Sequence, residues 1–209
     1  MRLLLSGILV VVAVLSLSGC STMNEQACLV TDWQSVGFED GAAGRSVTSI
    51  GSYRQACTRH GVAPDLAQYR AGHAEGVEVF CRAGNGFEAG RRGYQYQGVC
   101  PSSLEPSFLE AYSEGRQLYE LESELRAVEN QIAARHRRSE QLANDLAGTS
   151  AAIIADGTSA VQRAELLINA AAMAKEQGEI ADEIEVLEAE RVLREADLYA
   201  FRETLAFAF

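Results

Sequence analysis

Leu118, Leu121, Leu125, Val128 and Ile132 recur in steps of three and four, Leu142 and Leu146 fall in the same register, and Arg135 and Ser139 interrupt it. That spacing is a coiled-coil seam with a polar gap, and it predicts a helix from about residue 105 to 147. Gly148 to Ser159, containing Asp156-Gly157, is the predicted break, although Ile153 and Ile154 could carry helix into it. Ser159 followed three residues later by Gln162 opens the next helix. Leu166, Leu167, Ile180, Ile184, Leu187, Leu198, Phe201 and Leu205 give that helix its apolar positions, and an antiparallel hairpin is the simplest arrangement of the two.

Upstream the pattern changes. Aromatic residues are followed by glycines at helical intervals: Trp33 with Gly37, Gly41 and Gly44; Tyr69 with Gly72 and Gly76; Phe87 with Gly90 and Gly93; Tyr112 with Gly115. Each set lies on one helix face. Capping-box spacings place helix starts at Thr31 with Gln34, Asp65 with Gln68, Asn85 with Glu88, and Ser102 with Glu105. An interior glycine costs a helix about 1 kcal/mol relative to alanine. So many glycines therefore require an offsetting gain, and close packing supplies it: neighbouring backbones approach, and an aromatic ring covers the bare backbone of another helix. The competing reading is a groove for a glycan or peptide, with Arg91, Arg92, Tyr94 and Tyr96 beside the glycines. A dinucleotide loop is excluded, because Gly84, Gly86 and Gly90 miss the G-x-G-x-x-G spacing by one residue and no larger sheet surrounds them.

The N-terminus is uncharged from Leu3 to Leu17 and leads into Leu17-Ser18-Gly19-Cys20. The run is shorter than the roughly 20 residues a bilayer crossing needs. It reads as a signal peptide over residues 1–19 with a lipobox at its end, so Cys20 is the expected site of acylation and of anchoring to the membrane. The stretch resembles the signature of bacterial lipoproteins, which use aspartate after the cysteine for inner-membrane retention; with Ser21 there instead, the resemblance implies the periplasmic face of the outer membrane. With Cys20 set aside, Cys28, Cys57, Cys81 and Cys100 form an even set, which reads as two disulfides in an oxidising compartment. Their gaps of 29, 24 and 19 residues and the lack of a C-x-x-C pair argue against zinc, with or without His60 or His73. Of three connectivities, all open, the sequential one is preferred because each bridge then closes one compact helical segment.

Charge divides the chain from Cys20 onward. Residues 20–104 carry seven basic against eight acidic side chains, and residues 105–209 ten against twenty-one. The expected organisation is a lipidated tether over residues 20–27, a Gly- and aromatic-rich domain stapled by disulfides over 28–104, and an acidic helical hairpin over 105–209. The fold class is all-α. Neither part has the basic excess that phosphate binding uses, so no nucleic-acid partner is expected. Closing the hairpin brings the seven carboxylates of residues 176–190 towards Glu120, Glu122, Glu124 and Glu129, which opposes closure unless they point outward. It also sets Arg135, His136, Arg137 and Arg138 beside the neutral Ile168 to Ala171. Arg135, Arg137 and Arg138 then read first as a plain solvated patch, with binding of an anionic partner as the alternative.

A resemblance emerges from many spaced positions taken together. These are Asp32-Trp33, Gly37, Asp40-Gly41, Gly44, Cys57, Pro64-Asp65, Tyr69, Gly72, Gly76, Phe80-Cys81, Asn85-Gly86-Phe87, Gly90, Gly93, Tyr96, Gly98-Val99-Cys100-Pro101, Phe108, Tyr112 and Gly115-Arg116. From about residue 28 to 125 the chain resembles a family of bacterial envelope lipoproteins catalogued only as a domain of unknown function, the 2799 family. The resemblance brings no catalytic residues.

The three histidines are isolated and no nucleophile–base spacing is apparent, so no catalytic residue, metal or cofactor is expected. The expected function is that of a non-enzymatic scaffold or interaction partner in the cell envelope, with an envelope protein as partner and homo-oligomers open to it through the helical tail. An inhibitor or binding protein for a cationic envelope-damaging protein is the alternative, and a peptidoglycan-acting enzyme ranks third.

Overall fold

A computed structural model of the chain describes residues 23–206. The signal segment and Cys20 lie outside them. Among the described residues every regular element is helical: α1 (Glu25–Val30), α2 (Trp33–Ala42), a 3-10 turn at Val47–Ser49, α3 (Ile50–Thr58), α4 (Leu66–Phe80), α5 (Ala83–Arg91), α6 (Glu105–Ile154) and α7 (Ala160–Ala206). The fold is all-α, as the periodicities predict. Two compact units divide the chain, one running through Gly86 and including Gln95–Glu110, the other comprising Phe87–Tyr94 and Ala111 onward. The charge step at residue 105 coincides with the start of α6, whose residues contribute to both.

Helix starts obey the capping logic unevenly. Asp65 caps α4 as predicted, accepting from the Ala67 and Gln68 amides at 2.9 and 3.0 Å. Ser159 and Gln162 form a reciprocal capping box at the start of α7. Thr31 does not cap α2: it ends α1, its hydroxyl donating to the Ala27 carbonyl, and the carboxylate of Asp32 takes the cap instead. Asn85 lies inside α5, donating to the Val79 carbonyl at 2.8 Å. Ser102 sits in the turn before α6, while Glu105 accepts from the Tyr96 hydroxyl.

In the first unit, α2 and α4 run side by side in the same direction. Gly37 faces the Tyr69 carbonyl, Gly41 that of His73, Gly72 that of Gln34 and Gly76 that of Phe38; a methyl group at any of the four would overlap that oxygen. Parallel neighbours require the chain to return between them, and residues 43–65, with α3, make that return. The Cys28–Cys57 bridge ties the return to the segment preceding α2. Around it Trp33, Tyr69 and the two half-cystines form a core covered by Met23, Val36, Ile50, Tyr53 and Val62.

The same device recurs. Gly86 faces the Phe108 carbonyl, Gly90 faces Tyr112 and Arg116, and Gly115 faces Phe87 and Arg91, so α5 and the start of α6 also approach as parallel backbones. Residues 92–104 make the return, stapled by Cys81–Cys100. Residues 37–80 and 86–119 thus form two internal copies: GFEDGAAG at 37–44 matches GFEAGRRG at 86–93, and Tyr69-x-x-Gly72-His73-x-Glu75-Gly76-x-x-x-Phe80 matches Phe108-x-x-Ala111-Tyr112-x-Glu114-Gly115-x-x-x-Tyr119. Gly44 and Gly93 prove not to sit on helix faces. They come just after the helix ends with φ of 71° and 72°, a left-handed conformation that glycine adopts without strain, and each lies under the ring that closes its own copy, Phe80 or Tyr119.

In the second unit, α6 and α7 pack antiparallel. Leu118, Val128, Ile132 and Leu142 of α6 are buried, as are Ile180 and Leu198 of α7. The break is shorter than its composition suggests, because α6 continues through Gly148 to Ile154 and only Ala155–Ser159 turn. Moving the turn towards the C-terminus shifts the register of the whole hairpin.

Glycine substitutions separate the two roles. Gly76→Ala places a methyl group against a neighbouring backbone and should lower stability by about 2–3 kcal/mol. Gly148→Ala meets nothing within 4 Å and should raise it by up to about 1 kcal/mol through helix propensity alone. Denaturant melts of the two variants with disulfides intact check both signs.

Candidate functional site

Two places in the described chain concentrate chemistry. The first is a polar cluster in the core of the first unit. Asp40 on α2 is 2% exposed and accepts from Tyr69 on α4 at 2.7 Å, from Arg45 at 2.8 Å and from Tyr53 on α3 at 3.3 Å. His73 stacks on Tyr69 and donates through Nε2 to the Arg45 carbonyl at 2.8 Å. Burial first, and the Asp40 carboxylate second, raise the phenol pKa of Tyr69 well above its ordinary value; the same two causes raise that of Tyr53. The hydrogen bond from Arg45 to Asp40, reinforced by their opposite charges, strengthens the guanidinium's hold on its proton. Three donors occupy this carboxylate, so the arrangement fastens α3 to the α2–α4 pair. Its second-copy counterparts differ: Ala89 stands where Asp40 does, while the Tyr112 hydroxyl takes over from His73, donating to the Tyr94 carbonyl at 2.7 Å.

The second place is the hairpin surface. Arg138 chelates Glu176 at 2.7 and 2.9 Å, Arg135 pairs with Glu183 at 2.6 Å, Arg194 with Glu124 at 2.9 Å and Arg202 with Glu122 at 2.8 Å. The basic cluster therefore does not lie beside Ile168 to Ala171. With the turn at Ala155–Ser159 it faces the acidic stretch instead, which removes the expected repulsion, and Arg135 and Arg138 are engaged within the chain. Arg137 is exposed. Beside the Arg135–Glu183 pair an open groove of about 380 Å³ is lined by Gln131, Asp182, Val186 and Leu187. The outer side of α7 is apolar at Val161, Ile168, Val186 and Leu193, which are 65–70% exposed.

Cys28, Cys57, Cys81 and Cys100 form the two expected disulfides, in sequential order. Trp33 and Tyr69 are buried, and Gly37, Gly41, Gly72, Gly76 and Gly90 lie at backbone contacts, with the Phe87 carbonyl opposite Gly115. Arg91 and Arg92 both pair with Glu88 at the surface. Asp40, Tyr53, Arg45 and the packing role of Gly86 are not evident from helical intervals. The signal for Gly86 is the repeated GFE-x-G-x-x-G; for Asp40 it is a charged residue between Gly37 and Gly41 on the buried face. Among the described residues no cluster of His, Cys, Asp or Glu could hold a metal ion, and no helix is long and apolar enough to cross a membrane.

The buried cluster predicts its own pH dependence. Above the ordinary tyrosine pKa of about 10 the unfolded chain releases phenolic protons that the folded chain retains, so stability falls as pH rises. Tyr69→Phe should flatten that fall while costing roughly 1–3 kcal/mol at neutral pH, where Asp40 loses its closest donor. Urea unfolding of both proteins from pH 7 to 11 reads the two effects together.

Residues 32–117 match the family model described as a protein of unknown function (DUF2799). No curated protein and no solved structure matches the chain. The matched span opens at the cap of α2 and closes just past Gly115, so it contains both glycine-packed pairs and stops short of most of the hairpin. Over residues 32–117 the chain is a DUF2799 domain.

Proposed function

We propose that this is a non-enzymatic lipoprotein of the outer membrane, held at the periplasmic face by an acylated Cys20, which serves the cell envelope as a scaffold or assembly partner through its helical hairpin. The observation that carries the proposal is the outside of α7. A helix of 47 residues buries one side against α6 and keeps large apolar residues on the other, a pattern that marks a surface used by another molecule. Anchoring is supported by the uncharged run from Leu3 to Leu17 followed by Leu17-Ser18-Gly19-Cys20. Two disulfides agree with an oxidising compartment.

A second reading has one observation in its favour. Residues 105–209 carry ten basic against twenty-one acidic side chains, a field that would steer a cationic protein onto the hairpin. In that case the chain is a periplasmic binding or inhibitor protein. Crosslinking in cells through a photoreactive residue at Val186, with identification of the captured protein, separates the two. Capture of a resident envelope protein supports the scaffold; capture only after a cationic protein is added supports the inhibitor.

The anchor makes a sharper prediction. Cys20→Ser should abolish acylation and move the chain out of the outer-membrane fraction, read by metabolic labelling with palmitate and by fractionation. A Cys20→Ser chain that still carries lipid would rule out the lipobox.

A further inference from the structure

The exposed line on α7 is symmetric about Gln177. Val161 and Leu193 lie sixteen positions to either side of that residue, Ile168 and Val186 nine, and Lys175 and Glu179 two. The intervening positions preserve the pattern, since Glu165 mirrors Ala189 and Ala172 mirrors Asp182. Consecutive members are three or four residues apart, so all ten share one helix face. Every one of them is exposed, and Lys175 and Glu179 are 76% and 59% so at their side chains.

We infer that this face pairs with the same face of a second copy, antiparallel, about a two-fold axis level with Gln177. In an isologous contact each residue meets its mirror partner twice. Val161 then lies against Leu193 of the other copy, and Ile168 against Val186. Lys175 meets Glu179 on both sides of the axis, with Asp182 one turn further on. In this register no carboxylate has a carboxylate as its mirror partner: Glu165 and Asp182 each face an alanine. A helix carrying eleven acidic and five basic residues would repel itself in most registers, and this one sets the charges of the exposed line against opposite or neutral partners; Arg163 and Arg191, which mirror each other, lie off that line. The groove beside Gln131 and Arg135 borders the line at Val186, giving the second helix a lateral seat. The inference rests on reading α7 as a contact surface and is independent of the anchor at Cys20.

The test uses the full-length chain in detergent micelles, with cysteines introduced at both Ile168 and Val186. Within one helix these are about 27 Å apart, far beyond the roughly 7 Å between Cα atoms that a disulfide can span. Mild oxidation should convert most of the chain to a covalent dimer whose peptide map joins position 168 to position 186. The pair Ile168→Cys with Leu193→Cys, equally exposed but out of register, should yield at least about tenfold less dimer. Equal yields from the two pairs, or none from either, overturn the inference. Without introduced cysteines, Ile168→Glu should weaken the dimer at least about tenfold in sedimentation equilibrium while leaving helix content unchanged. A parent chain that sediments as a monomer up to about 100 µM also overturns it. Should α7 then capture a different envelope protein in cells, self-pairing is refuted and the scaffold function stands.

Discussion

Where Gly37, Gly41, Gly72 and Gly76 meet, carbonyl oxygens of one helix occupy the volume that side chains would fill on the other. Backbones at that distance gain dispersion contacts along their whole facing length, and the gain offsets the propensity lost at each glycine. The arrangement also dictates what surrounds it. Two helices running in the same direction cannot be joined by a tight turn, so each pair needs a return segment. A return segment, whether it carries a short helix as residues 43–65 do or none as in residues 92–104, needs fastening. The two disulfides do this, each worth about 3–4 kcal/mol for loops of 29 and 19 residues by loop-closure entropy. In the first copy the bond from Tyr53 to Asp40 adds a second fastening.

Parallel alignment carries an electrostatic cost as well, since both helices of a pair present their positive N-terminal ends on the same side. In the first pair, Asp32 and Asp65 stand at those ends and each accepts two backbone amides. The Ser35 hydroxyl, with the Ser35 and Gln34 amides, holds the Asp32 carboxyl below its usual range. Copies differ where chemistry differs. Phe108 is enclosed by Phe80 and Tyr96 at 5.0 Å each, a wholly aromatic solution at the position where the first copy places Tyr69 and its bond to Asp40.

Helix class, the approximate extent of the hairpin and the glycine faces are legible in the sequence because each depends on a local period. Thr31, Asn85 and Ser102 have the right partner three residues on, yet spacing alone does not fix where a helix begins: Asp32 accepts the first amides of α2 while Thr31 ends α1, and α5 begins at Ala83, ahead of Asn85. The turn is confined to the C-terminal end of the predicted break because Gly148 is a breaker by propensity but stands where the helix has open space, so seam packing on either side carries the helix through. That displacement changes the electrostatics of the tail, bringing Arg135 and Arg138 onto Glu183 and Glu176. Such half-exposed pairs contribute about 0–1 kcal/mol each. Their weight lies in disfavouring other registers, in which the acidic stretch would face acidic neighbours. The partners of Asp40 are illegible for a different reason: they lie 5, 13 and 29 residues away, and only the fold brings them together.

The order of the disulfides has a consequence for biogenesis. Cys28–Cys57 and Cys81–Cys100 enclose consecutive, non-overlapping stretches. A chain that emerges N-terminus first, with Cys20 set aside by the acylation proposed for it, presents to Cys28 and again to Cys81 the native mate as the next thiol to appear. Oxidation in order of appearance then yields native connectivity, with no wrong bridge to be reshuffled, and the first copy can close before the second has emerged. Maturation of this protein would depend on an oxidant but not on an isomerase.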